Sequence, residues 1–328
     1  MTTDLANNNT RRLAQWPRLA PRRFSFRAIV FTAFMLPILA GAAQASESTI
    51  TAFKVKIESS VVYASVDGVD LLCDVYSPTI DSAKNADTKP RPAVLLIHGG
   101  AWSSGSRVTM GGHAMKLAKA GFVAISIDYR LAPEWKFPVQ LDDVRRAIWW
   151  ATQNGDDLGI DTNRMGLFGY SAGGHLACLI GTLADENPET IAQTTKLSTD
   201  DRHWLESAKP LAICAGGPPC DLSGIPANSG GLAYFLGGTP AEVPQAYLAA
   251  SPLTHASAGD VPTLFIHGER DAIVPASNSE SLFVAQQKSG VTSEFVTIEK
   301  QGHMLTFINP KATDSMIDFF QRRLQNPQ

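Results

Sequence analysis

Charge is sparse in this sequence. Only 18% of its 328 residues are Asp, Glu, Lys or Arg, and 28 basic against 31 acidic side chains leave a formal net charge of −3. Beyond residue 45 there is no basic run and no basic patch interleaved with aromatics, which argues against nucleic acid or another acidic macromolecule as a partner. Cysteine is scarce as well. The chain has only Cys73, Cys178, Cys214 and Cys220, none in a C-x-x-C or His-rich context, which argues against a metal held by cysteine. No apolar run reaches the roughly 20 residues that a membrane-spanning helix needs. Internal repeats and proline-rich linkers are missing, which speaks for one domain rather than several.

The amino terminus carries a leader pattern. Arg11, Arg12, Arg18, Arg22, Arg23 and Arg27 precede the 13-residue run AIVFTAFMLPILA, Ala28 to Ala40, and then AQAS. A basic stretch, a short apolar segment broken by Pro37, and the small residues Ala43 and Ala45 read as a secretory signal removed after Ala45. The alternative is an uncleaved amino-terminal anchor. Exported protein should begin at Ser46, whereas an intact amino terminus in a membrane fraction would favour the anchor. The stretch RRFSFR, residues 22–27, matches a twin-arginine signal imperfectly. Cleavage removes six arginines and Asp4, so the net charge falls to −8, and the remaining chain, 46–328, becomes an exported protein that is not integral to a membrane. Oxidising conditions outside the cytoplasm permit disulfides. The spacing in CAGGPPC allows a Cys214–Cys220 bridge, with buried free thiols as the alternative.

Short β-rich runs then alternate with longer helical ones. FKVKIES, VVYASV and VDLLCDVYS, with the turn signal DG between the last two, predict an opening antiparallel meander. AVLLIHGG, FVAISIDYR, RMGLFGYS, LAICAGG and TLFIHGE are nearly continuous apolar runs, as strands buried on both faces of a parallel sheet are, and SEFVTIE alternates more. Helices are expected between them. In PVQLDDVRRAIWWATQN, Leu141, Val144, Ala147, Ile148 and Ala151 recur at helical spacing and supply a face to pack on the sheet. The expectation is a mostly parallel α/β domain with helices on both faces. Two polar or Gly/Pro-rich stretches, 186–210 and 216–262, interrupt the order and read as loop or lid insertions.

Between a predicted strand and a predicted helix stands GYSAGG, with Ser171 in a G-x-S-x-G turn. Gly169 and Gly173 remove side chains that would collide in so tight a turn, and the turn pushes a hydroxyl outward at a helix start. A serine hydroxyl is a poor nucleophile at neutral pH, so this reading requires a histidine base and an acid to orient it. Asp271, in FIHGERDAIVP, and His303, in EKQGHMLTF, follow Ser171 in the required order and each lies just past a predicted strand. Glu269 lies closer to its strand end. His267 and His175 read as packed histidines, and His98 as a residue that orders the glycine turn after it. That turn, HGGAW, together with the elbow, offers the N–H groups of Gly100, Ala101 and Ala172 as an oxyanion hole. Tyr170 is a candidate pocket residue, and Trp102 either lines the pocket or, as an aromatic beside a glycine turn, only packs. No metal and no cofactor is required by this chemistry.

Over nearly all of its length beyond the leader the chain resembles the α/β-hydrolase superfamily. It is more narrowly similar to esterases related to hormone-sensitive lipase and to the feruloyl-esterase-like BD-FAE group, through HGGAW, DYRLAPEWKFPVQLDDV, GIDTNRMGLFGYSAGGHLA, ASPLTH and HGERDAIVP. Tyr170 stands where hormone-sensitive-lipase relatives carry an acidic residue, which favours the BD-FAE side. HGGAW with Trp102 is also similar to arylformamidases. The resemblance implies a carboxylesterase acting through an acyl-enzyme on a small ester or an acylated polysaccharide, with formamide hydrolysis as the alternative. A serine peptidase or a binding module that has lost catalysis fits less well. The resemblance further implies that Asp128, Arg130, Glu134 and Asp142 hold loops near the site rather than react.

Overall fold

The computed structural model describes residues 53–79, 89–198 and 201–326, so the leader reading falls outside the described residues. Eight strands form one sheet: β1 (Lys54–Val66), β2 (Val69–Thr79), β3 (Arg91–Ile97), β4 (Val123–Ile127), β5 (Ile160–Tyr170), β6 (Ala212–Gly216), β7 (Thr263–Gly268) and β8 (Glu294–Ile298). Their spatial order is β1-β2-β4-β3-β5-β6-β7-β8. β1 and β2 pair antiparallel, as do β2 and β4, and every later neighbour is parallel.

The apolar runs become the interior strands because both of their faces are covered. Leu95 and Ile97 of β3 pack on one side with the helices Val139–Gln153 and Ala172–Thr182, and Val94 and Leu96 pack on the other with Gly111–Lys119 and Pro310–Phe320. Helix Val139–Gln153 buries Leu141, Val144, Ala147, Ile148 and Ala151 as its spacing anticipates. Helix Ala172–Thr182 is apolar almost all round, and ten of its eleven residues are buried. It is thereby fixed as a rigid element behind Ser171. Among the described residues no helix is long and apolar enough to cross a membrane.

The opening antiparallel meander forms as expected around the DG turn, and its three segments make two strands. FKVKIES and VVYASV form the single strand β1, because no turn chemistry separates them. An irregularity in pairing between Glu58 and Val61 absorbs the change of register. There Ser60 takes φ 59, and its N–H donates to Asp74 Oδ1 at 2.8 Å. Asp74 also receives Arg107 Nε at 2.9 Å.

All four cysteines are free and buried. Cys214 lies in the core layer of Leu96 and Phe320, while Cys220 lies in the opposite layer with Cys178, so the spacing in CAGGPPC does not produce a bridge. Of the loop-holding residues, Arg130 is clasped by Asp143 and Asp67, and Asp128 by Arg107. Asp142 accepts from Thr195 Oγ1 and Lys196 N–H. Glu134 is the exception: it is exposed and has no hydrogen bond or ion pair among the described residues.

Candidate active site

The carboxyl ends of the parallel strands converge, and the loops that leave them carry the candidate residues, as expected for ligand sites on such sheets. Ser171 follows β5 at the start of its helix with φ 54 and ψ −119, a backbone region that side chains rarely adopt. The turn is held by Ser171 N–H donating to Gly216 O at 2.7 Å and by His175 N–H donating to Ser171 O at 2.9 Å. Its glycines are obligatory. A Cβ on Gly173 would sit 2.0 Å from the Ile97 carbonyl oxygen, and one on Gly169 would sit 2.1 Å from the Gly173 carbonyl oxygen.

Asp271 follows β7 and His303 opens the five-residue helix His303–Phe307 after β8. Both side chains are almost wholly buried, and His303 Nδ1 donates to Asp271 Oδ2 at 2.6 Å. Because a carboxylate can only accept, Nδ1 carries a proton, so in the neutral ring the lone pair is on Nε2, which is the tautomer of a general base. The other oxygen, Asp271 Oδ1, accepts from Ile273 N–H at 3.0 Å and Val274 N–H at 2.9 Å, so the carboxylate cannot swing away. Glu269 is exposed and receives the N–H of Lys300 instead.

Ser171 and His303 line one cavity of about 440 Å³. Among the described residues no hydrogen bond joins the serine hydroxyl to the imidazole. Gly100 and Ala101 form part of a second wall, and Ile273, Met304 and Phe307 an apolar third. Ile273 and Met304 are 67% and 65% exposed, so this wall continues to the surface. Ala172 is the first residue of the helix after Ser171, where an N–H has no intrahelical acceptor.

The HGGAW loop is bent in an unusual way: Gly100, Ala101 and Trp102 have φ 118, 50 and 56. Left-handed conformations at non-glycine residues cost on the order of 1–3 kcal/mol each. Burial of the Trp102 side chain, which is 4% exposed, opposes that cost, since a large apolar side chain contributes about 1.5–3 kcal/mol on full burial. The indole stacks on Phe235 at 4.2 Å and 5°. Trp102 therefore packs behind the loop and is not among the residues that line the cavity, which selects the packing alternative over the pocket one. Tyr170 does line it, and its hydroxyl donates to the His303 carbonyl oxygen.

The remaining histidines lie where their strands and helices put them. His98 donates from Nδ1 to Gly99 O at 2.7 Å and stacks on Tyr129, and burial lowers its pKa. His175 is fully buried, and burial pushes its pKa down to about 4. His267 is packed between Ser279 and Val274, yet its Nε2 also lies 3.3 Å from Asp271 Oδ2. The sequence carries a signal for that contact, the i,i+4 spacing in HGERD, which the reading of His267 as core passed over.

Neither interrupting stretch supplies a wall of the cavity at Ser171. Residues of 186–210 instead border a separate space of about 190 Å³ beside Arg145 and Ile148. In the second stretch Phe235 is buried against Trp102, and the Tyr234 hydroxyl donates to Ala101 O at 2.8 Å.

Comparison with known proteins places this geometry in context. A family model described as BD-FAE matches residues 73–285. Esterase LipC of Mycobacterium tuberculosis is 32% identical over 224 residues, which are 67% of this chain and 54% of LipC, so the chain spans about half of that relative. Esterase 2 of Thermogutta terrifontis, in a form phosphorylated by paraoxon, superposes with a TM-score of 0.63 at 26% identity, covering 83% of this chain and 94% of that one. A truncated carbohydrate esterase from gut microbiota shares the fold, with a TM-score of 0.69 at 24% identity over 84% of this chain and 98% of that one.

Proposed function

Because the chain belongs to the BD-FAE family of the α/β-hydrolase fold, we propose that it hydrolyses carboxylic esters through a covalent acyl-enzyme. One observation carries the reading: an imidazole oriented by a carboxylate at 2.6 Å opens onto the same cavity as a serine on a strained strand-to-helix turn. Ser171 Oγ attacks the ester carbonyl carbon while His303 Nε2 takes its proton. Asp271 holds the ring and balances the imidazolium that forms. The carbonyl oxygen, now negative, is held by the N–H groups of Gly100, Ala101 and Ala172. Collapse of this intermediate expels the alcohol, which takes the proton from His303. Water then attacks the acyl carbon as His303 Nε2 takes its proton, and collapse breaks the bond to Ser171 Oγ, which takes that proton back as the acid leaves.

The apolar wall of Ile273, Met304 and Phe307 and the lack, among the described residues, of any Asp, Glu, Lys or Arg in the lining support an uncharged ester. We extend the proposal to acetyl or feruloyl esters, small or carried on polysaccharide. Formamide hydrolysis was suggested by the tryptophan of HGGAW, and that residue lies behind the loop instead of in the cavity. A panel of p-nitrophenyl esters, methyl ferulate, acetylated xylan and N-formylkynurenine tests the reading. Turnover of the esters well above that of N-formylkynurenine is expected. Formamide hydrolysis exceeding every ester would overturn the substrate class.

A further inference from the structure

We infer that Trp102 and His175 are positioning residues that lock the oxyanion loop to the helix carrying the nucleophile. The inference rests on the serine-esterase reading above. Trp102 Nε1 donates to His175 Nδ1 at 3.2 Å in a fully buried contact. His175 lies one helical turn past Ser171, on the helix whose first N–H, that of Ala172, is one of the oxyanion donors. Trp102 directly follows Ala101, which supplies another. This single side-chain bond therefore joins the two halves of the hole.

The surroundings leave the bond one geometry. His175 Nε2 lies 2.6 Å from the Ala250 carbonyl oxygen, so that nitrogen carries the proton and Nδ1 must accept. The indole meets the imidazole edge-on with centroids 5.0 Å apart, and its face lies parallel to that of Phe235. On the backbone, Trp102 O accepts from Ala132 N–H at 2.9 Å, and Ala101 O accepts from the Tyr234 hydroxyl. Turning the Gly100–Ala101 or Ala101–Trp102 peptide to relax the left-handed φ values would drag the indole out of this seat. The stretch around Phe235 and Ala250 thus acts on the reaction from outside the cavity.

The test compares an oxygen ester with its thiono counterpart, in which C=S replaces C=O. Sulfur accepts hydrogen bonds weakly, so the thiono substrate draws less on the oxyanion donors. Trp102→Phe keeps a ring against Phe235 but removes the N–H together with part of the indole's volume, so His175→Leu, which removes the acceptor and leaves the indole whole, is its independent partner. Trp102→Phe should lower kcat for a p-nitrophenyl ester on the order of 10- to 100-fold, the scale of a small misplacement of catalytic groups, with KM little changed. The thiono ester should lose much less, so the oxygen-to-sulfur rate ratio falls. His175→Leu should copy this, and adding Trp102→Phe to it should cost little more. His175→Asn, whose Oδ1 stands near the place of Nδ1, should recover part of the loss. A ratio unchanged in Trp102→Phe, or equal losses on both substrates, would overturn the inference. Wild-type protein that leaves every oxygen ester intact would instead overturn the esterase reading, and this inference with it.

Discussion

Ser171→Ala is expected to lower ester turnover by about 10⁶-fold, the scale seen when the nucleophile of a well-studied serine protease is removed. The residual rate would come from the oxyanion donors and from binding. The substitution deletes one hydroxyl that has no hydrogen bond among the described residues, and alanine can occupy φ 54 no worse than serine does. The fold should therefore survive, with a thermal melt close to that of wild type. His303→Ala should fall as far, and the double variant little further, because nucleophile and base act as one unit. Steady-state kinetics on a p-nitrophenyl ester checks this. Near-normal turnover in Ser171→Ala, or losses that multiply in the double variant, would contradict the assignment.

Asp271→Asn should cost about 10⁴-fold in kcat, by a different route. Two backbone N–H groups, those of Ile273 and Val274, point at Oδ1 and select the amide oxygen of an asparagine for that position. The amide nitrogen is then forced to face His303, where Oδ2 accepts at 2.6 Å in the wild type. An NH₂ donor there demands a bare Nδ1, so the proton moves to Nε2 and the base faces the serine already protonated. The imidazolium also loses its partner charge. His267 Nε2, 3.3 Å from the same oxygen, would meet a second donor. KM should change little, because the carboxylate does not line the cavity. A variant that keeps more than about a tenth of wild-type kcat would show that His303 does not depend on Asp271 for its tautomer.

The sheet was legible because interior parallel strands must be apolar on both faces, and no other element writes that pattern so plainly. The elbow was legible because steric necessity puts glycine on both sides of Ser171, and the positions of Asp271 and His303 follow from chain order past successive strand ends. What escaped depended on contacts between distant segments. The glycine turn before Trp102 leaves pocket lining and packing equally open in the sequence, because the direction of the side chain is set by three consecutive positive φ values and by Phe235, 133 residues further on. His175 read as core, and it is core, yet its Nδ1 faces the loop of another strand. β1 was divided because the pattern of its residues breaks at Ser60, where an Asp74 carboxylate on the neighbouring strand supplies the missing partner. Glu134 has the company of a recognisable motif, and among the described residues nothing pairs with its charge.

The most direct test of the central claim is covalent capture. Wild-type protein treated with paraoxon and digested should carry one diethylphosphoryl group on the peptide containing Ser171, with ester hydrolysis lost in proportion to labelling. Ser171→Ala should take up none. Label on another residue while Ser171 stays unmodified, or full hydrolysis by protein phosphorylated at Ser171, would contradict the account.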